Sequence, residues 1–111
     1  MGKDFEALPG VSTAAIRRMS DGEMVFSRTS AEGLIQACTA ALIAVLGVEI
    51  FPGLNVSTYD LFLKNDFKEG SWPQYVRVNN VLARDFLRNN PASGDSECVL
   101  TAASWREFRK M

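Results

Sequence analysis

Three arginines, Arg77, Arg84 and Arg88, offer the clearest recognition chemistry in the chain. On a helix that advances about 100° per residue they fall within a sector of roughly 40°. Guanidinium groups aligned in this way repel one another and match carboxylate or phosphate oxygens in bidentate geometry. The row therefore reads as a docking ridge for an acidic protein partner or a small anionic ligand, extended by Arg106, Arg109 and Lys110. The plainer reading is a solvated helix face whose arginines pair with Asp95, Glu97 or Glu107. Nucleic acid is disfavoured, because the aromatic residues of the same helix point away from the arginines and cannot stack bases between them.

A second constellation is acidic. Asp60, Asp66 and Glu69 are close enough in sequence to hold a divalent cation or to share a proton, the chemistry of a metal-dependent enzyme or enzyme subunit. Their spacing matches no EF-hand loop, and solvated turn charges are the simpler account. Trp72 and Tyr75 each combine an apolar body with a polar tip, so they can line a ligand pocket or close the end of a core.

What is missing narrows the chemistry further. The chain has no histidine, so a Ser-His-Asp or Cys-His arrangement and a histidine-ligated zinc site are excluded within it. Cys38 and Cys98 form no CxxC, and the glycines form neither a P-loop nor a dinucleotide fingerprint. No cofactor is expected. Both cysteines lie in apolar surroundings and read as buried free thiols.

These residues sit in a chain of 111 residues, enough for one domain with a real but modest core. The apolar fraction of 47% is that of a folded protein, and the formal net charge of -1 sets up no global field for a polyanion or an anionic membrane. Charge is nonetheless unevenly placed. Residues 1–70 carry six basic and nine acidic side chains, whereas residues 71–111 carry six and four. The opening MGKDFEALPGVS lacks the apolar region of a secretory signal and an acylation pattern, which leaves the cytosol as the expected compartment.

The element that organises the chain is Thr29–Gly47, a run without a charge between Glu32 and Glu49. Thr29 stands at a capping position, Glu32 at its reciprocal partner, and Gly47 at a left-handed stop, so the run predicts one core helix too short to cross a bilayer. Polar residues survive on it only as a narrow stripe, Thr29, Glu32, Gln36 and Thr39. Residues 1–10 read as a loosely held arm, Ser12–Ser20 as a short helix, and Met24–Arg28 as a strand. After Gly47, Val48–Phe51 and Leu54–Leu63 read as strands around a Pro52-Gly53 turn, although Tyr59–Leu63 also fits a short helix. Ser71, Pro73 and Gln74 open a helix that ends near Asn89, with Trp72, Tyr75, Val78 (with Asn79), Leu82 and Phe86 as its inward stripe. Cys98–Thr101 is then a strand and Ala102–Lys110 a short amphipathic helix.

From Met24 this order is βαββαβ. It points to a small single α+β domain with ferredoxin-like organisation and an extra short helix at each end; a mainly helical fold is the alternative. The apolar surplus of the long helix, with its small-residue stripe Gly33, Ala37, Ala40 and Ala44, and the two-sided strand favour a homodimer. The function expected is that of a small non-catalytic binding protein.

Overall fold

The computed structural model describes residues 2–50, 71–89 and 97–110, together with the backbone of 54–57. It is an α+β domain, ordered α1 (Lys3–Glu6), α2 (Val11–Ala14), β1 (Arg17–Arg18), β2 (Met24–Ser27), α3 (Arg28–Ala40), β3 (Ile43–Ile50), β4 (Leu54–Ser57), α4 (Trp72–Asn89), β5 (Glu97–Ser104) and α5 (Trp105–Phe108). The strands form one antiparallel sheet in the order β1-β2-β5-β3-β4.

From Met24 the element order is the expected βαββαβ, but the sheet is not ferredoxin-like. A ferredoxin-like sheet has the first and third of its four strands in the middle, whereas here β5 and β3, the last and the second, are central. The β3–β5 pairing carries most of the register, from Ile43 opposite Ser104 to Ile50 opposite Cys98, with an irregularity between Val45 and Gly47.

The long core helix expected over Thr29–Gly47 divides into a helix and a strand. Ser27, not Thr29, caps α3, its hydroxyl accepting the Ser30 N–H. The helix stops at Ala40, and the left-handed residue that ends it is Leu42 at φ 59°, not Gly47. A leucine in this region is sterically disfavoured. Its carbonyl is held by the indole N–H of Trp72 at 2.8 Å. Gly47 instead lies within β3, at the irregularity, where a residue without a side chain eases the bulge.

The apolar run after Leu42 is thus a central strand, covered on both faces. Ile43, Val45, Val48 and Ile50 join Met24, Phe26, Cys98, Leu100 and Ala102 in one core with residues of α1, α2, α3 and the end of α4. Ala44, Leu46 and Ala103 join a second with Trp72, Tyr75, Val76 and Phe108. Much of the apolar bulk of that run, Leu34, Ile35, Ala44, Val45 and Leu46, is accordingly buried within the one chain, whereas Gly33 and Ala40 of its small-residue stripe are exposed and the side chains of Leu54–Leu63 lie outside the described residues. Within residues 2–10, Phe5 is 3% exposed and packs edge-on against Phe26. Ser104 caps α5 in a reciprocal box with Glu107 and donates its hydroxyl to Asp4, which also pairs with Arg106. Further along, Ser12–Ser20 is not one helix but α2 followed by β1, and the Ala102–Lys110 helix is confined to α5 because β5 continues to Ser104.

One side chain joins α4 to the sheet. Among the described residues β4 pairs with β3 only over Gly47–Ile50, and no other strand borders the first half of β3 on that side. Asn80 fills the gap: its Oδ1 accepts the Val45 N–H at 2.8 Å, and its Nδ2 donates to the Ile43 carbonyl at 3.0 Å and to Thr39 Oγ1 at 2.9 Å. The amide mimics the edge of a neighbouring strand, satisfying buried backbone groups that α4 would otherwise cut off from water. Its neighbour Asn79 is fully buried and its amide finds no partner among the described residues.

The two asparagines should therefore respond oppositely to replacement. Asn80→Ala strands a backbone donor and acceptor and is expected to cost about 2–4 kcal/mol in urea unfolding. Asn79→Leu, which removes an unpaired polar group, should be neutral or stabilising. The Asp4 carboxyl is held below its ordinary value by the Ser104 hydroxyl and then by Arg106. Stability from these bonds is complete above the unfolded carboxylate pKa and is lost as pH falls through the depressed folded value. The urea midpoint of Asp4→Asn should lie below that of the parent at pH 7, and the gap should close below about pH 4.

Candidate functional site

Helices α3 and α4 run antiparallel, and three interactions set their register. The Arg28 guanidinium donates to the Leu87 carbonyl in the last turns of α4, a cation where the helix dipole is negative. Glu32 meets Arg88 at 2.7 Å, and Thr39 accepts from Asn80. Thr39 also donates back to the Ile35 carbonyl, so its hydroxyl is oriented from both sides.

Between the outer faces of this pair lies an open groove of about 510 Å³. One wall is Glu32, Gln36 and Thr39, the polar stripe of α3; the other is Arg77, Val81, Arg84 and Arg88 of α4, with Gly33, Ile35 and Asn80 completing the lining. All three arginines singled out in the sequence thus share one concave surface. They are unequally satisfied. Arg88 holds Glu32; Arg84 reaches Asp85 only at 3.5 Å, and its buried Nε has no acceptor among the described residues. Arg77 reaches no carboxylate among the described residues. A guanidinium with unfilled donors facing a groove is prepared to accept carboxylate or phosphate oxygens.

The inward stripe of α4 differs from the one expected. Val78 and Leu82 are exposed, while Val76, Asn80, Ala83 and Leu87 are buried with the expected Trp72, Tyr75 and Asn79. The helix is rotated from the reading based on large residues because it crosses a sheet edge, where Asn80 and small Ala83 fit closest. Trp72 and Tyr75 themselves fill the second core: their rings stack at 5.2 Å, and Trp105 and Phe108 close around Trp72 at 5.4 and 5.1 Å. Neither lines this groove.

Of the extension suggested for the ridge, Arg106 is taken by Asp4, and none of Arg106, Arg109 and Lys110 lines the groove. The acidic constellation Asp60, Asp66 and Glu69 lies outside the described residues. Among the described residues no group of three or more histidine, cysteine or carboxylate side chains is arranged to hold a metal ion, and no helix is long and apolar enough to cross a membrane. What inspection of α4 alone missed is the opposite wall; the signal was the Glu32, Gln36, Thr39 stripe on an otherwise apolar segment.

A second hollow, of about 400 Å³, lies between α1 and the β1–β2 turn, lined by Glu6, Arg18, Asp21, Glu23 and residues of β5 among others. Arg18 is already engaged there, by Glu6 at 3.1 Å and the Gly22 carbonyl at 2.9 Å. Burial, with Asp21 and Glu49 nearby, holds the Glu23 carboxyl above its ordinary value. Among the described residues this hollow has no cation comparable with Arg77 of the arginine groove.

The chain matches no protein-family model, no curated protein and no solved structure with which it was compared.

Neither cysteine lines either hollow. Burial pushes the Cys38 thiol up to about 12 and the Cys98 thiol up to about 11. Since the thiolate is the reactive form, alkylation by iodoacetamide at pH 8 should be at least about a hundredfold slower in the folded protein than in urea. Comparable rates would place one thiol at the surface.

Proposed function

We propose that this protein is a small non-catalytic binding protein that docks an anionic partner in the groove between α3 and α4. The observation that carries the reading is the state of the arginines: three guanidinium groups line one concave surface, and among the described residues no carboxylate reaches Arg77 and only Asp85, at 3.5 Å, reaches Arg84. Exposed cations on a folded surface normally meet water and scattered carboxylates. Here Glu32 and Asp85 offset the row only in part, and the rest of the wall is made of neutral polar groups, Gln36 and Thr39, that add hydrogen bonds without a competing charge. A carboxylate or phosphate seated between Arg77 and Arg84 would fill both and relieve their mutual repulsion.

The reading suits a cytosolic partner bound reversibly, since rim-exposed charges govern encounter rate and salt dependence more than final affinity. It requires no bound metal and no acid–base chemistry.

The test is binding to immobilised poly-glutamate. The parent protein should be retained at low ionic strength and released by salt, while Arg77→Glu/Arg84→Glu should pass through. The melting temperature should change little, because exposed charge substitutions alter stability by less than about 0.5 kcal/mol each. Unchanged retention of the double variant would remove the proposal; collapse of its stability would show the arginines to be structural.

A further inference from the structure

The groove is lined in a pattern that a point anion does not need. Along α4 the residues facing it are Arg77, Val81, Arg84 and Arg88. Their separations of four, three and four residues are those of one helix face. At about 1.5 Å per residue, Arg77 and Arg88 stand roughly 16 Å apart, beyond the span of one phosphate or carboxylate. Between them Val81 is 43% exposed, an apolar group set in the middle of the cationic row. Across the groove, an added Cβ at Gly33 would meet no atom within 4 Å, so the α3 wall is low there and another backbone can come close.

Resting on the anion-groove reading above, we infer that the occupant is an amphipathic acidic helix of a partner protein, laid lengthwise between α3 and α4. Charge complementarity selects its face. Opposite Arg77, Val81, Arg84 and Arg88 it carries an acidic residue, an apolar residue and two further acidic residues at positions i, i+4, i+7 and i+11. Two helices crossing at about 20° keep such a register over three turns, which an extended strand with side chains on alternate sides does not. The arginines fix direction and register, Val81 excludes water at the centre, and Gln36 and Thr39 supply the polar rim. Docking of a helix by apolar and charged anchors at this spacing is an established recognition mode.

The experiment compares four probes on the full chain by fluorescence anisotropy or calorimetry. They are a helical peptide with Glu, Leu, Glu, Glu at i, i+4, i+7 and i+11; the same composition with the acids rotated to the opposite face; inorganic phosphate; and a twelve-nucleotide single-stranded RNA. The patterned peptide should bind at least about tenfold more tightly than the rotated one, and Val81→Ser should weaken it about fivefold without changing any response to phosphate. A proline in the middle of the patterned peptide should abolish binding, since it breaks the helix. Equal affinity for both peptides, sensitive to Arg84→Glu but not to Val81→Ser, would overturn the helix inference and leave the anion groove standing. Tighter binding of the RNA than of the patterned peptide would overturn it in favour of a nucleic-acid partner. If none of the probes binds, and poly-glutamate does not either, both readings fall together.

Discussion

A strand whose edge is half covered must find partners for the other half, and in this fold one asparagine supplies them. Among the described residues β4 pairs with β3 only from Gly47 onward, and over the first half of β3 the Ile43 carbonyl and the Val45 N–H face α4 instead of a strand. The amide of Asn80 presents an acceptor and a donor at the spacing a neighbouring strand would offer. That requirement fixes the rotation of α4 about its own axis. Once Asn80 faces the sheet edge, Trp72, Tyr75 and Val76 fall to one side of the sheet and Ala83 and Leu87 to the other. The arginines, roughly 60° further round, are left at the flank where α3 lies.

The same asparagine ties α3 into the arrangement through Thr39, and Arg28 closes the far end of the helix pair on the Leu87 carbonyl. The groove is therefore built on two helices pinned at both ends, and its walls are set by interactions that do not involve a ligand. Its electrostatics follow from what the pinning leaves over. Glu32 is placed to hold Arg88, but among the described residues no equivalent acid reaches Arg77, and Asp85 is too distant to hold Arg84 firmly. The exposed Glu32–Arg88 pair itself contributes little to stability, being solvated and open to salt. It serves better as an orienting contact at one end of a row than as a structural bond.

Local signals were readable wherever they were redundant. Pro73 near the start, Pro91 after the end and a helical period between them located α4, and the 100° arithmetic placed Arg77, Arg84 and Arg88 together before any neighbour was known. The Met24 strand, the strand at Cys98 and the α+β class followed from composition and turn residues in the same way. Where signals conflicted, the apolar run Leu42–Leu46 was misread as more helix. A short apolar run has no period that separates a buried helix from a two-sided strand, and the residue that ends α3 is a leucine at positive φ, which local preference argues against. Only the Trp72 indole, thirty residues on, and the strands on either side of β3 account for the break.

What this sequence determined by itself was the identity and spacing of groups along single elements: an arginine row on one helix, a polar stripe on another, thiols in apolar surroundings and no histidine chemistry. What tertiary structure alone decided was which of those elements face each other. The order of the sheet, the rotation of α4 and the apposition of Glu32, Gln36 and Thr39 with the arginines all rest on contacts between residues tens of positions apart. No local pattern encodes such contacts, because they are chosen by satisfying the open edge of β3 and filling the space on both sides of it.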